Sequence, residues 1–190
     1  MKKILTFALL GLAAFNASAE KADASKQAVI DYDDAHADSV SRTVTLIGNV
    51  VVTKGTLVLR AEKAVYKQAP DAGAQVLLNG GASKLATFRQ KRDGGPDLWV
   101  EGEAQRIEYD ERTSVMKLFG NAKIRQLEGT RVTEENQSQF ISYDSMREVF
   151  TSRNDAAGGS KVGGSRGRMI IAPSRPAGVV PAPPKPTGTP

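Results

Sequence analysis

The chain has 190 residues, with 26 Lys and Arg, 21 Asp and Glu, one His and no Cys. That inventory excludes a thiolate nucleophile, a disulfide framework and a zinc site built on Cys or on paired His. The formal charge of +5 comes from the ends of the chain. Residues 156–190 hold five bases (Lys161, Arg166, Arg168, Arg175 and Lys185) and no acid, and setting these and Lys2 and Lys3 aside leaves 19 bases against 21 acids. The body is thus slightly acidic, which does not indicate a basic nucleic-acid-binding domain.

In chain order, the first element is an export signal. Lys2 and Lys3 form a charged start, residues 4–14 an apolar run too short to span a bilayer, and Ala17-Ser18-Ala19 a small-residue cleavage site. The division expected is signal peptide 1–19, one domain 20–171 and a proline-rich flexible tail 172–190, which carries seven of the nine prolines. An exported chain without disulfides suggests the periplasm, with release from the cell as the other destination.

Within 20–171 there is no amphipathic helical period. Short alternating runs rich in β-branched residues, bounded by Gly, Asn and Asp, predict an all-β domain. Strands are expected over 28–32, 43–47, 49–53, 57–60, 63–68, 75–78, 82–89, 98–101, 104–109, 114–119, 122–126, 139–143, 148–152 and 168–171. The acidic run DYDDAHAD, 31–38, which contains His36, reads as a solvated loop, with a hard-cation site as the alternative.

Two stretches repeat. LIGNVVV, 46–52, returns as LFGNAKI, 118–124, and LNGGA, 78–82, is a weaker third copy, so glycines recur at Gly48, Gly80 and Gly120. The four tyrosines, Tyr32, Tyr66, Tyr109 and Tyr143, each end a strand-like segment, and their separations of 34, 43 and 34 suit repeated β-turn-β units. A glycine followed by Asn inside an apolar run marks a bulge or bend that re-aims the strand, with an ordinary hairpin turn as the alternative. Strands of this kind form a sandwich, a closed barrel or a rolled solenoid, and the mostly small aliphatic inventory fits an apolar slot or an ordinary core. The tyrosines either edge such a slot or pack as ladder residues.

The ordered series TLIGNVVVTKGTLVLRAEKAVY (45–66), LATF (85–88), VEGEAQRIEY (100–109), LFGNAKI and SRGRMIIAPSR (165–175) resembles the OstA-like family of periplasmic lipopolysaccharide-transport bridge proteins. It is carried at the first copy by Leu46, Gly48, Asn49, Val50, Val52, Gly55, Leu57, Leu59, Ala61, Glu62 and Lys63, and it covers most of the chain after the signal. The resemblance implies a twisted, open-ended β-jellyroll whose apolar interior holds the acyl chains of lipopolysaccharide, with no catalysis and no cofactor. It also implies partners: lipopolysaccharide through its lipid A, an inner-membrane-anchored export protein of the LptC type at the N-terminal edge, an outer-membrane assembly protein of the LptD type at the C-terminal edge, and head-to-tail self-association.

Alternation along the strands then assigns the lipid-facing set: Ile30, Val50, Val52, Leu57, Leu59, Phe88, Val100, Ile107, Tyr109, Leu118, Ile124 and Ile141. Phe88 falls at the LATF position, where the family places an aromatic near bound lipid. The basic stretch 84–95 reads either as lipid-phosphate contacts or as a solvated hairpin. The competing function is a jellyroll carbohydrate-binding module or glycoside hydrolase of the cell envelope, which would draw its acids from Glu101, Glu103 and Glu108.

Overall fold

The computed structural model describes residues 22–23, 25–69, 73–95 and 97–173. The expected signal peptide and the tail beyond Pro173 lie outside the described residues. Among the described residues twelve strands follow in order: β1 (Ala28–Asp31), β2 (Asp34–Asp38), β3 (Thr43–Lys54), β4 (Leu57–Gln68), β5 (Ala74–Asn79), β6 (Ala86–Lys91), β7 (Leu98–Ala104), β8 (Arg106–Asp110), β9 (Val115–Glu128), β10 (Arg131–Asp144), β11 (Val149–Arg153) and β12 (Arg168–Ile171). All pairings are antiparallel.

Four of these strands are long, and each serves two sheets. The first halves of β3 and β9 and the second halves of β4 and β10 belong to a sheet ordered β2-β3-β4-β5-β8-β9-β10-β11. Their other halves belong to a sheet ordered β1-β3-β4-β6-β7-β9-β10-β12. The bends lie at the repeated Gly-Asn pairs. In β3 the partners jump from Ile47↔Lys63 to Val50↔Ala61, so Gly48 and Asn49 oppose Glu62 alone. In β9 they jump from Phe119↔Phe140 to Ala122↔Ser138, so Gly120 and Asn121 oppose Gln139 alone. Both are two-against-one bulges with positive φ, 77° and 46° in the first pair and 72° and 50° in the second. Glycine and asparagine hold such angles at least cost, which is why the same dipeptide serves twice.

The short strands change sheets at the same level. Asp33, between β1 and β2, donates its N–H to the Ile47 and Gly48 carbonyls, and Gln105, between β7 and β8, donates to Gly120 at 3.0 Å. Gly80 donates in turn to Gln105 at 2.9 Å, just after β5 ends and before the chain crosses to β6. LNGGA is therefore a crossover between sheets, whereas the two Gly-Asn copies are bulges. Together these crossings make a seam along one side of the molecule; the hairpin turns of both sheets lie on the opposite side, the mouth.

The expected strand pairs 43–47 and 49–53, 57–60 and 63–68, and 114–119 and 122–126 are single bent strands, because a bulge turns a ladder without ending it. β6 begins at Ala86 rather than residue 82, since 80–85 carry the crossover. The acidic run is corrected from loop to strand: Asp34–Asp38 pairs with β3 from Asp34↔Ile47 to Asp38↔Thr43, with every residue exposed. Residues 131–138 of β10 were likewise not expected. Both segments lack an apolar phase, and backbone pairing holds them instead. The ladder also continues past β12, where Ala172 donates to the Thr133 carbonyl at 2.9 Å and Arg131 reaches the Pro173 carbonyl at 2.6 Å.

Candidate functional site

The inner faces of the two sheets form one apolar cluster, and the twelve residues assigned from alternation all lie in or against it. Val50, Val52, Leu57, Leu59, Phe88, Val100 and Ile124 come from one sheet, and Ile107, Tyr109, Leu118 and Ile141 from the other; none is more than 9% exposed. Ile30, on the edge strand β1, is half-buried and packs on the cluster. Alternation missed Leu46, Val76, Leu78, Met116 and Tyr143, which are equally buried. Tyr143 carried a usable signal, since it ends the same type of segment as Tyr109.

Strand register explains the tyrosine spacing. Tyr66, Val76, Tyr109, Met116, Tyr143 and Phe150 are successive cross-strand partners, a single row running across the sheet. Tyr66, Tyr109 and Tyr143 thus point inward together, while Tyr32 sits where β1 gives way to β2 and is 49% exposed. Burial pushes the Tyr109 hydroxyl up to about 12, helped by the negative charge of Glu111, and the same two causes raise Tyr66.

The interior is filled by protein side chains, where the resemblance implied a space holding acyl chains. Phe88 and Tyr143 meet from opposite sheets with ring centroids 6.2 Å apart. Beside them, between Ile30, Val52, Leu59, Tyr66, Val76 and Tyr109, about 20 Å³ remains, room for one water and not for an acyl chain. Sheets packed at the usual spacing of about 10 Å let medium-sized aliphatics interdigitate, and that is what closes the space.

Polar groups lie outside this core or at its mouth. Glu101 pairs with Arg89 and, at 3.2 Å, with Arg125; Glu103 with Lys123 at 2.6 Å; Glu108 with Arg106 at 3.4 Å. Glu101 and Glu103 meet cross-strand partners and Glu108 meets its i−2 neighbour on the same strand, all on the outer faces, so the three acids form no carboxylate pair in the apolar interior. Arg89 also stacks over Trp99 at 4.3 Å. His36 is an exposed residue of β2, and among the described residues no three His, Cys, Asp or Glu side chains come together as a metal site.

At the mouth, Lys54 meets Glu111 at 3.1 Å and Arg92 meets Glu148 at 2.6 Å. Asp23 is buried there, accepting from the Thr56 N–H at 2.7 Å, the Thr56 hydroxyl at 2.6 Å and Gln90 Nε2 at 3.1 Å. Sequence reasoning passed over all of these, since their partners are 33 to 67 residues apart.

A family model described as LptA/(LptD N-terminal domain) LPS transport protein matches residues 29–149. The chain is 33% identical over 147 residues to the lipopolysaccharide export system protein LptA of Escherichia coli strain K12, covering 73% of this chain and 77% of that one. It is 27% identical over 173 residues to the protein of the same name in Haemophilus influenzae, covering 91% and 92%. Among solved structures it resembles LptH of Pseudomonas aeruginosa, described as the LptA homologous periplasmic component of the conserved lipopolysaccharide transport device. The TM-score is 0.68 at 22% identity, over 80% of this chain and 99% of that one, which marks a common fold.

Proposed function

The chain belongs to the LptA/(LptD N-terminal domain) family of lipopolysaccharide transport proteins, a transport family and not an enzyme family, and on that premise we propose that it is a periplasmic bridge. In this reading it receives lipopolysaccharide from an inner-membrane export complex and passes it to an outer-membrane assembly complex, with the acyl chains held between its two sheets.

The observation that carries the proposal is the interior itself: aliphatic and aromatic side chains from both sheets in one cluster, between sheets that are continuous only along the seam. Each methylene removed from water gains about 0.8 kcal/mol, so a lipid with several acyl chains crosses an aqueous space only under cover. Edge strands β1 and β2 on one side and β11 and β12 on the other offer places for neighbours to add strands. That arrangement supports an LptC-type partner at the N-terminal edge, an LptD-type partner at the C-terminal edge, and head-to-tail copies between them. Energy for directional transfer then comes from another component.

Site-specific photo-crosslinking tests the reading. Probes at Leu59, Phe88 and Ile107 should capture labelled lipopolysaccharide, while a probe at the outward neighbour Glu108 should not. Equal capture from Ile107 and Glu108 would remove the interior from the account.

A further inference from the structure

Along the seam the sheets are one fabric, since β3, β4, β9 and β10 run through both. At the mouth they are separate chains of turns, and among the described residues two ion pairs cross between them. Lys54, at the end of β3, donates to Glu111 in the β8–β9 turn, and Arg92, in the β6–β7 loop, donates through Nη2 to Glu148 in the β10–β11 turn. In both pairs the cation comes from one sheet and the carboxylate from the other, and their side chains are only 14–28% exposed. Lys54 and Glu111 also border the small apolar cavity, so this pair caps the interior directly.

Arg92 is not fully used by its partner. Its Nε is buried without a hydrogen-bond acceptor. Buried guanidinium N–H groups are normally paired, and the planar Arg fork suits two acceptor oxygens of a phosphate or carboxylate at once. One edge of Arg92 is therefore poised for an anion that Glu148 does not supply.

Acyl chains can reach a filled interior only by parting the sheets. Parting them at the seam would tear continuous strands, whereas parting them at the mouth breaks these two pairs. We propose that Lys54–Glu111 and Arg92–Glu148 form an exchangeable clasp: it opens as acyl chains enter, and Lys54 and Arg92 then take the anionic phosphates of the headgroup left outside. The inference rests on the reading of this chain as a lipopolysaccharide carrier. Exchange of a carboxylate for a phosphate keeps each cation in a charge-assisted hydrogen bond, and parting the sheets at the mouth gives the released Glu111 and Glu148 carboxylates to water.

The test uses the mature chain with lipid A that retains its phosphates and lipid A stripped of them. The wild type should bind the phosphorylated form about tenfold more tightly. E111Q/E148Q should load several-fold faster and keep that preference, whereas K54Q/R92Q should bind both forms alike, with circular dichroism confirming that each variant is folded. Because the protein has no cysteine, K54C/E111C can be bridged cleanly by a short, thiol-cleavable crosslinker. Loading should stop when bridged and return on reduction, which separates a closed clasp from a damaged fold. A phosphate preference that survives in K54Q/R92Q, or undiminished loading of the bridged protein, would overturn the clasp. Inorganic phosphate alone should leave the melting temperature unchanged; a rise seen in the wild type and absent from K54Q/R92Q would make this a free-anion site and overturn the headgroup assignment. A wild type that takes up neither lipid A defeats the carrier reading itself, whereas equal uptake of both defeats only the present inference.

Discussion

The ring of Phe88 on β6 occupies the space that a side chain at Gly102, its cross-strand partner on β7, would fill. Gly102 does not have a positive φ, so its role is to make room. Gly102→Ala should therefore lower stability by about 1–3 kcal/mol through overpacking. Phe88→Leu in the same chain should recover part of that loss, and a double-mutant cycle by urea denaturation measures the coupling. Additive effects would mean the ring and the glycine are not in competition.

At the seam, Gly120 combines a φ of 72° with a Gln105 side chain already where a Cβ would stand. Gly120→Ala should cost about 1–3 kcal/mol from backbone strain and crowding. Its neighbour Asn121 has the same handedness, at 50°, and Asn121→Gly should fall within about 0.5 kcal/mol of wild type, because glycine accepts that angle freely. Thermal melts of the two variants give the comparison directly.

Tyr109 yields a pH dependence with a defined sign. Its hydroxyl, raised from 10 to about 12 by burial, holds its proton more tightly in the folded chain than in the unfolded one. That stabilisation is fully present below pH 10 and disappears as pH rises through about 12, with roughly 2–3 kcal/mol at stake. Urea titrations at pH 9 and pH 11.5 should show a fall in stability that is smaller in Tyr109→Phe; identical falls would locate the alkaline sensitivity elsewhere.

The C-terminal edge offers a backbone test of strand addition. Ala172 donates inward to Thr133, so by alternation the Met169 N–H points away from β10. Met169→Pro removes that outward donor while sparing the inward ladder. In sedimentation velocity, concentration-dependent association through this edge should weaken markedly with little change in melting temperature. Association as strong as in wild type would place the contact at another surface.

The parts of this molecule that were readable in the sequence are those with local causes. Period-two alternation identified the inward face of nearly every strand that has an apolar phase, from Leu57 and Leu59 to Ile107 and Tyr109, because successive side chains of a strand point to opposite faces wherever it pairs. The Gly-Asn pairs marked where both strands bend, with bulge and hairpin turn both open there, since few other residues accept those backbone angles. Strands without an apolar phase escaped: Asp34–Asp38 and the first half of β10 are held by backbone pairing, to which polar side chains contribute no pattern.

What depended on the folded chain was everything set by partners distant in sequence. No local pattern tells that β3, β4, β9 and β10 each serve two sheets, that Tyr66, Tyr109 and Tyr143 share one row, or that Lys54 finds Glu111 across the mouth. The same aliphatics that alternation assigned to a groove could have lined an open slot or met in the middle. The separation of two sheets decided between these, and that separation follows from packing among side chains that no single strand contains.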